Sequence, residues 1–458
     1  MTNLSIKVLG ESCFLFEKQG FKLITDPWFG ESIYGGAWSQ FPIPRVSRAD
    51  LNNITHIFIS HIHADHFCIA SIEKIIKTSP NVKFVILETQ KLVSKRIHQV
   101  FGDTFFGTIL FCPAYKEILI GDISCFALPP CTDNDLNNFV DSSLVLVIDN
   151  NVILFANDNM PGDAHANFLN QLIAKNKNLN QHLALIPCSG GSGYPASYLD
   201  ITLQEKLNIA AHVRRSYEES AVDFLQKTSF DYYMPVAGNH IIVGRDFDWH
   251  NFTSFLLNPY ESIGKINECT SSKGIYCDPG FFIDPMSVLT SSELEECSLE
   301  HEFQRNLFIE AISSRIKSPY HTPPPDLSDP SQSLRIKNLL ITIASKICSG
   351  LTNMHSDSVI SDYKEITILL TSGPYAVTIN GCEYFLFDKI NNCRNLLDFL
   401  EELNITGRYL GLTVDIPILL SINEKIWHIN EADASGLLSY VRNIPYSPNL
   451  YMLIYSCF

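Results

Sequence analysis

Short apolar runs, separated by turns and by stretches of helical spacing, dominate the first half of the chain. Residues 5–16 and 21–25 are apolar-rich segments on either side of a Lys-Gln-Gly turn, which predicts a β-hairpin. Residues 54–60 form a compact apolar run of strand length, and residues 69–77 carry isoleucines at helical spacing. This interleaving of strands and helices predicts a layered sandwich of α and β elements.

A second hairpin is predicted where residues 143–148 and 152–156 flank an Asp-Asn-Asn turn. The other apolar runs and helical stretches of this part predict strands at 82–87, 117–128 (two strands), 183–187 and 232–236, and helices at 91–100 and 203–225.

Length and proline content predict a division of the chain. At 458 residues it is too long for one compact core. A His-Thr-Pro-Pro-Pro run begins at residue 321, so we place a linker at 321–332. The predicted first domain spans 1–320, with its core at about 4–260, and a small α+β domain spans 333–458.

Composition limits the partners without naming a substrate. The net charge of −16 repels phosphate backbones, so we expect no nucleic-acid partner. The 13 cysteines include no C-x-x-C pair, which is typical of reduced thiols in a cytoplasmic protein. No apolar segment approaches the roughly 20 residues of a membrane span, and no signal peptide is expected.

One motif points to metal chemistry. The pattern H-x-H-x-D-H, at residues 61–66, directly follows the apolar run 54–59. Two histidines two positions apart in extended backbone face the same way, and the chain must then turn towards the next helix. Imidazole and carboxylate together suit zinc, iron or manganese rather than calcium. A histidine-rich surface turn is the alternative, but four fixed positions argue for a metal centre.

This motif resembles that of the metallo-β-lactamase superfamily. The resemblance implies a four-layer αβ/βα sandwich with two metal ions at the edge where strand-end loops meet. It also implies a ligand set: His61 and His63 for one ion, Asp65, His66 and His240 for the other, and Asp158 as the bridge, with Asp65 and Asp158 as the catalytic carboxylates.

Other roles are less firmly tied to the motif. Asp26 is expected to orient a ligand rather than to bind the metal. His240 has the alternative of a capped loop histidine, and Asp158 that of a turn residue. The substrate pocket is predicted to be bordered by Trp28, Ser189, Gly190 and Tyr194. His165 fits either a second layer around the metals or the surface, and Arg214 is a candidate anchor for an anion.

One expected ligand is missing. The family has a third histidine for the first ion upstream of the bridging aspartate, and residues 129–135 contain none. Asp133 is the first candidate to replace it, Asp135 the second, and Cys131 a weaker one. The site could instead have only two protein ligands there, with these acids capping a loop. A carboxylate in place of imidazole favours iron or manganese over zinc.

Further segments narrow the resemblance. Residues 10–14, 25–29 and 188–195, and more weakly 430–451, are similar to the branch with CMP-N-acetylneuraminate hydroxylase and ascorbate-6-phosphate lactonase. That hydroxylase holds a Rieske cluster on C-x-H pairs, and this sequence has no C-x-H or C-x-x-H pair. An oxygenase of this kind therefore needs a separate reductase.

Three functions remain. The favoured one is a di-iron, dioxygen-dependent oxygenase of a small or carrier-bound metabolite. The alternative is a dizinc or dimanganese hydrolase of an ester, lactone or phosphodiester. A non-catalytic scaffold with a degenerate site is the third, and the intact motif argues against it. The C-terminal domain is expected to be a lid, a dimerisation unit or a docking module, and homo-oligomerisation stays open.

Overall fold

The computed structural model describes the chain except for residues 1–3, 31, 103–107, 132–140, 177–180, 192–193, 239, 243–249, 254–257, 286, 314–324, 354–365, 382, 389, 391–392, 394, 425–428, 430–432, 434–437 and 445–447. It divides into two compact units. The first comprises Met1–Gly191, Ala211–Val243 and Phe255–Ile312, and the second comprises Ser192–Ala210, Gly244–Ser254 and Ser313–Phe458. The domain limits drawn from the sequence, at 320 and 333, stay a prediction.

The first unit contains a six-stranded sheet, which begins with an antiparallel meander and continues with parallel strands. Its strands, in spatial order, are β1 (Ser5–Val8), β2 (Phe14–Lys18), β3 (Phe21–Thr25), β5 (His56–Phe58), β6 (Lys83–Leu87) and β7 (Ile109–Cys112).

A seven-stranded sheet forms the other half of the unit. Its strands, in spatial order, are β15 (Lys273–Gly274), β13 (Tyr232–Val236), β12 (Leu183–Pro187), β11 (Asn151–Phe155), β10 (Ser143–Ile148), β9 (Ile123–Leu128) and β8 (Ile118–Ile120). The predicted hairpin of β10 and β11 is present, with Leu144 opposite Phe155 and Ile148 opposite Asn151.

Helices cover the outer face of each sheet. On the first sheet lie α1 (Arg48–Leu51), α2 (Ile69–Thr78) and α3 (Lys91–Phe101). On the second lie α4 (Asp163–Lys175), the part of α5 (Leu203–Lys227) from Ala211 onwards, α7 (Pro259–Asn267) and α8 (Ser291–Ser313).

Alternation along the strands explains the layers. Phe58 of β5 points into the apolar layer between the two sheets, where it shares a cluster with Phe155 of β11. Its neighbour Ile57 points outwards and packs with Ile72 and Ile75 of α2. Because successive strand residues face opposite sides, one strand serves both layers. The unit is therefore a four-layer αβ/βα sandwich, which confirms the predicted fold class.

Residues 5–16 do not form one strand. The chain reverses between β1 and β2, and the amide of Leu9 donates to the carbonyl of Cys13 at 2.9 Å. Gly10 is needed in this turn, because a Cβ there would lie 2.5 Å from Oε1 of Gln40. The hairpin predicted at the Lys-Gln-Gly turn is that of β2 and β3, with Lys18 opposite Phe21.

The second unit is a smaller α+β structure. Its sheet consists, in spatial order, of β18 (Glu383–Phe387), β17 (Tyr375–Asn380), β16 (Ile366–Ser372), β19 (Arg408–Val414) and β20 (Leu438–Arg442). Its helices are α6 (His250–Thr253), α9 (Pro330–Asn353), α10 (Leu396–Glu402), α11 (Ile416–Asn423) and α12 (Pro448–Tyr455).

Three features bear on the sequence-based expectations. Residues 330–332, which lie at the end of the predicted linker, form the first turn of α9, where a leading proline is favoured. The cysteines of the described part form no disulfide with one another. Among the helices in that part, none is both long and apolar enough to cross a membrane.

Candidate metal centre

The H-x-H-x-D-H motif emerges at one edge of the six-stranded sheet. β3 and β5 are parallel neighbours, so the residues that follow them meet at the same edge. Asp26 follows β3, and its amide donates to the carbonyl of Phe58 at 3.0 Å. The amide of Phe67 donates to the carbonyl of His63 at 2.7 Å, so the motif itself turns before α2 begins.

His66 lies at the centre of the cluster. Its Nε2 is 3.2 Å from Oδ2 of Asp158 and 3.3 Å from Oδ2 of Asp65. Its Nδ1 is 2.9 Å from Oδ2 of Asp26, a fully buried carboxylate that also accepts from the amide and the hydroxyl of Ser60. Asp26 therefore holds one ring nitrogen while the other faces two carboxylates.

His61 and His63 direct nitrogens at each other. Nε2 of His61 is 2.9 Å from Nδ1 of His63. On the other side of the His61 ring, Nδ1 lies 3.0 Å from the hydroxyl of Ser60. The candidate donor atoms of His61, His66 and Asp158 all lie within 4.8 Å of one another.

The charges of the cluster are strongly coupled. Burial lowers the pKa of His61, so its imidazole is neutral near pH 7 and keeps a lone pair. Burial also lowers the pKa of His66, but Asp158 and Asp65 outweigh it and hold that pKa well above its usual range. Burial raises the pKa of Asp65, but His66, His63 and His61 together lower it more, so the net shift is downwards.

Asp141 joins the cluster, and sequence reasoning missed it. Its Oδ1 lies 3.3 Å from Nδ1 of His61, and only 11% of its side chain is exposed. Burial, followed by repulsion from Asp158, raises the pKa of Asp141 to about 8. The hairpin register contained a signal: Leu144 is opposite Phe155, and three further residues in each direction bring Asp141 opposite Asp158.

His240 belongs to a neighbouring group of side chains. It opens β14 (His240–Ile242), which pairs with β4 (Trp38–Gln40). Its ring stacks on Trp38 with centroids 3.7 Å apart, and its Nδ1 lies 3.6 Å from Oε1 of Glu11. Trp38 contacts the ring of Tyr34, whose hydroxyl donates to Asp65 at 3.1 Å. His240 is thus linked to the motif through two aromatic rings, outside the group of three donors.

Unusual backbone conformations mark the strand ends around the cluster. Asp26, Asn157 and Ala237 follow β3, β11 and β13, and have φ values of 34°, 50° and 65°. Positive φ is uncommon for residues other than glycine and costs on the order of 1–3 kcal/mol where it is held. Strain of this kind is concentrated at functional sites.

The predicted pocket residues lie in different places. Trp28 is buried, and its carbonyl accepts from Gln40 at 2.7 Å. Ser189 is buried beside Gly238, where an added Cβ would lie 2.6 Å from the serine Cβ. Gly190 follows it and is half-buried. Tyr194 belongs to the second unit, where Arg442 lies 5.1 Å from its ring.

The remaining candidates have structural partners or lie outside the described residues. Asp133 and Asp135 fall in the segment 132–140, so their roles stay predictions. Cys131 packs against Gly162. His165 is fully buried rather than on the surface, with Nε2 2.8 Å from the carbonyl of Pro129. Arg214 forms an ion pair with Glu261 at 3.4 Å.

The donor set fits a metal. Nε2 of His66 can carry one proton at most, yet it faces two carboxylates, and a neutral imidazole pair such as His61 and His63 also has spare lone pairs. Buried hydrogen-bond acceptors that outnumber the available protons destabilise the folded protein unless a cation binds to them. Mixed nitrogen and oxygen ligands suit zinc, iron or manganese.

Comparisons with known proteins give similarities in sequence and in structure. In sequence, 67 residues are 30% identical to a protein of Mycolicibacterium smegmatis described as a Rieske 2Fe-2S iron-sulfur protein, covering 14% of this chain and 12% of that relative. A metallo hydrolase from Ignicoccus hospitalis is similar in structure, with 16% identity, coverage of 61% of this chain and 97% of that one, and a TM-score of 0.40. A diiron β-hydroxylase from Streptomyces venezuelae gives 12% identity, 60% and 53% coverage, and a TM-score of 0.38. Residues 5–109, which contain the H-x-H-x-D-H motif, match the family model of the Beta-lactamase superfamily domain.

Proposed function

We propose that this protein is an enzyme with a dinuclear metal centre, and that it acts as an iron- and dioxygen-dependent oxygenase on a small or carrier-bound metabolite. The observation that carries the proposal is the high carboxylate content of the cluster. Asp65 and Asp158 face Nε2 of His66, and Oδ1 of Asp141 lies 3.3 Å from Nδ1 of His61. Hard, negatively charged oxygen ligands favour iron or manganese over a nitrogen-preferring zinc site.

The proposed ligands follow the resemblance noted from the sequence. His61 and His63 would hold one ion, with Asp133 or Asp135 as the candidate third ligand. Asp65, His66 and His240 would hold the other, and Asp158 would bridge them. The short distances among the motif residues and Asp158 support this assignment, whereas the support for His240 is its link through Trp38 and Tyr34.

The chain's own residues would prepare the site. Asp26 and the Ser60 hydroxyl fix the ring of His66 in a dry environment. The side chain of Asp158 is 32% exposed, against 3% for His66, so substrate would approach from the side of Asp158. A bound iron pair would supply dioxygen activation with electrons from a separate reductase. The hydroxylase-containing branch is part of this proposal, and its support is the likeness of residues 10–14, 25–29 and 188–195 to that branch.

A hydrolase is the second candidate. The observation that favours it is the pair of imidazoles of His61 and His63. Nε2 of His61 and Nδ1 of His63 are 2.9 Å apart. Nitrogen ligation is what zinc prefers, and a zinc pair would supply an activated water near neutral pH. The substrate would then be an ester, a lactone or a phosphodiester.

Metal analysis of protein purified without chelator tests the proposal. About two iron ions per chain with an oxo-bridge absorption, together with dioxygen uptake on reduction, are expected for the oxygenase. Colourless protein with about two zinc ions would replace it with the hydrolase. Less than one metal ion per chain after reconstitution, or equal metal content in His66→Ala and in a control with the exposed His212→Ala, would overturn both.

A further inference from the structure

The five-stranded sheet of the second unit has two edges, and they differ in how they are covered. β20 forms one edge, and a segment just before α5, in the same unit, lies along it. The amide of Tyr440 donates to the carbonyl of Ser197 at 3.0 Å, and the amide of Leu199 donates to the carbonyl of Tyr440 at 2.8 Å. The amide of Arg442 donates to a carboxylate oxygen of Asp200 at 3.2 Å. The unit therefore covers this edge with its own residues.

β18 forms the other edge of the sheet. All five of its residues pair with β17, from Glu383 opposite Asn380 to Phe387 opposite Ala376. Every second residue of an edge strand directs its N–H and C=O groups away from the sheet. Within the part of the chain that the structure describes, no hydrogen bond reaches these groups of β18. A row of unpaired backbone groups is a template on which another strand can pair.

The side chains of β18 do not protect this edge. Free edges are commonly protected by lysine, by proline or by a bulge. The sequence Glu-Tyr-Phe-Leu-Phe contains neither residue, and its pairing with β17 is unbroken. Its central residue, Phe385, is 55% exposed, and Tyr384 beside it is 37% exposed. These features favour a strand that is covered by a partner.

Apolar layers reach β18 on both faces of the sheet. On the face of α9, Leu386 packs against the cluster that contains Val377. On the face of α10, Phe387 packs against the cluster that contains Ala376. Phe385 lies on the same face as Phe387, because residues two apart in a strand share a face. A strand added beyond β18 would therefore extend both apolar layers and would bury Phe385.

The sequence of β18 is suited to pairing with a second copy of itself. In an antiparallel pair with its two-fold axis at Phe385, that residue lies opposite its own copy, Tyr384 lies opposite Leu386, and Glu383 lies opposite Phe387. Aromatic and aliphatic residues then face each other, which stabilises the pair, and no two like charges are opposed. With a net charge of −16, two copies repel each other in general, so a nearly uncharged strand is where they can approach.

We propose that β18 is the contact strand of a homodimer. Two copies of the chain pair antiparallel through Glu383–Phe387 with the two-fold axis at Phe385, and their sheets join into one sheet with five strands from each copy. Two-fold dimers of this kind are the commonest closed assemblies. The proposal does not depend on the metal centre, and it gives the second unit a role beyond the proposed function.

A charge exchange at residue 385 of the full-length protein tests the proposal by analytical ultracentrifugation. The wild type should be a dimer. Phe385→Lys and Phe385→Glu each place like charges opposite one another at the axis, so each should raise the dimer dissociation constant about 100-fold. An equimolar mixture of the two variants should restore the dimer, because opposite charges then meet. Phe303→Lys is the matched control, because Phe303 is 57% exposed on α8 of the first unit, and it should leave the dimer intact.

Hydrogen exchange of the wild type gives a second readout that needs no variant. Exchange of the amides in β18 should slow as the protein concentration rises, because dimerisation pairs them. A wild type that stays monomeric at every concentration, with exchange that does not depend on concentration, would overturn the proposal and would leave this edge to a strand of another protein. Undiminished dimerisation of the two variants, or a mixture that stays monomeric, would show that residue 385 does not face its own copy and would also overturn it.

Discussion

Each unit of the molecule contains a cluster of polar side chains in an apolar setting, and the two clusters differ in how they balance protons. In the first unit it is the candidate metal centre. In the second it is a tyrosine cluster, made of Tyr198, Tyr440, Tyr451, Tyr455 and Asp433. In the tyrosine cluster the hydroxyl of Tyr440 donates to Asp433 at 2.7 Å, Tyr455 also bonds to Asp433, and the hydroxyls of Tyr198 and Tyr451 are 2.7 Å apart.

The difference lies in the supply of donors. Phenol hydroxyls can donate as well as accept, so the tyrosine cluster brings its own protons to Asp433. Carboxylates only accept when ionised, and neutral imidazoles bring one proton each. The centre around His66 therefore has acceptors to spare, and a cation would complete it. A buried polar cluster in which every acceptor has a donor stabilises the fold by itself. A cluster with too few donors favours the binding of a ligand.

Removal of the metal should give the largest difference between the candidate metal centre and the tyrosine cluster. With Zn²⁺ at about 1,000 times its dissociation constant, the protein should gain about 4 kcal/mol of unfolding free energy, and a chelator should remove it. His66→Ala should lose this gain, because the central ligand is gone. Tyr440→Phe should keep it, since the tyrosine cluster needs no ion. Urea unfolding with and without chelator measures the effect, and a full gain in His66→Ala would contradict it.

Acid should act in both units through buried histidines outside the two clusters. Burial lowers the pKa of His165 in the first unit and of His250 in the second to about 4. The unfolded value is about 6.5, so the unfolded chain binds more protons between these values and stability falls as the pH drops from about 6.5 to about 4. For the fully buried His165 the loss is roughly 3 kcal/mol.

Unfolding of His165→Gln across this pH range checks the expectation. The variant should have a shallower decline in unfolding free energy than the wild type. His212→Gln is the control, because His212 is exposed on α5. Equal slopes in the wild type and His165→Gln would refute the prediction.

A substitution with a smaller expected effect should distinguish the two metal ions of the proposed centre. A Cβ at Gly191 would lie 2.6 Å from Cη2 of Trp38 and 3.1 Å from Cε1 of His240. Gly191→Ala should therefore displace the stacked rings and cost about 1–3 kcal/mol. Metal titration should show weakening of one ion only, on the side of His240. Equal weakening of both ions, or none, would count against His240 as a ligand.

The smallest expected effect belongs to the tyrosine cluster. Tyr198→Phe removes a hydroxyl that lies 2.7 Å from that of Tyr451. A net loss of about 1 kcal/mol of unfolding free energy is expected, because one hydrogen bond is lost between buried groups. Metal content and Co²⁺ affinity should not change. A change in either would show that the two clusters are not independent.

Local patterns predicted much of this arrangement. The predictions of β5, of α2 and of the hairpin of β10 and β11 are confirmed, because neighbouring residues determine each of these elements. The strand expected over 5–16 was wrong, since its turn at Gly10 depends on packing against the distant Gln40. Asp141 could have been found by continuing the hairpin register, whereas its contact with His61 could not.

By itself, then, the sequence determined the layered sandwich and the group of donors in residues 61–66, because periodicity and a compact motif act over short distances along the chain. Only the tertiary structure decided which carboxylate lies beside which ring. Asp26, Asp141 and Glu11 reach their histidines from separate strands and turns, and sheet register and packing set those distances. Protonation of a ring nitrogen depends on its nearest acceptor, so it is a property of the folded chain.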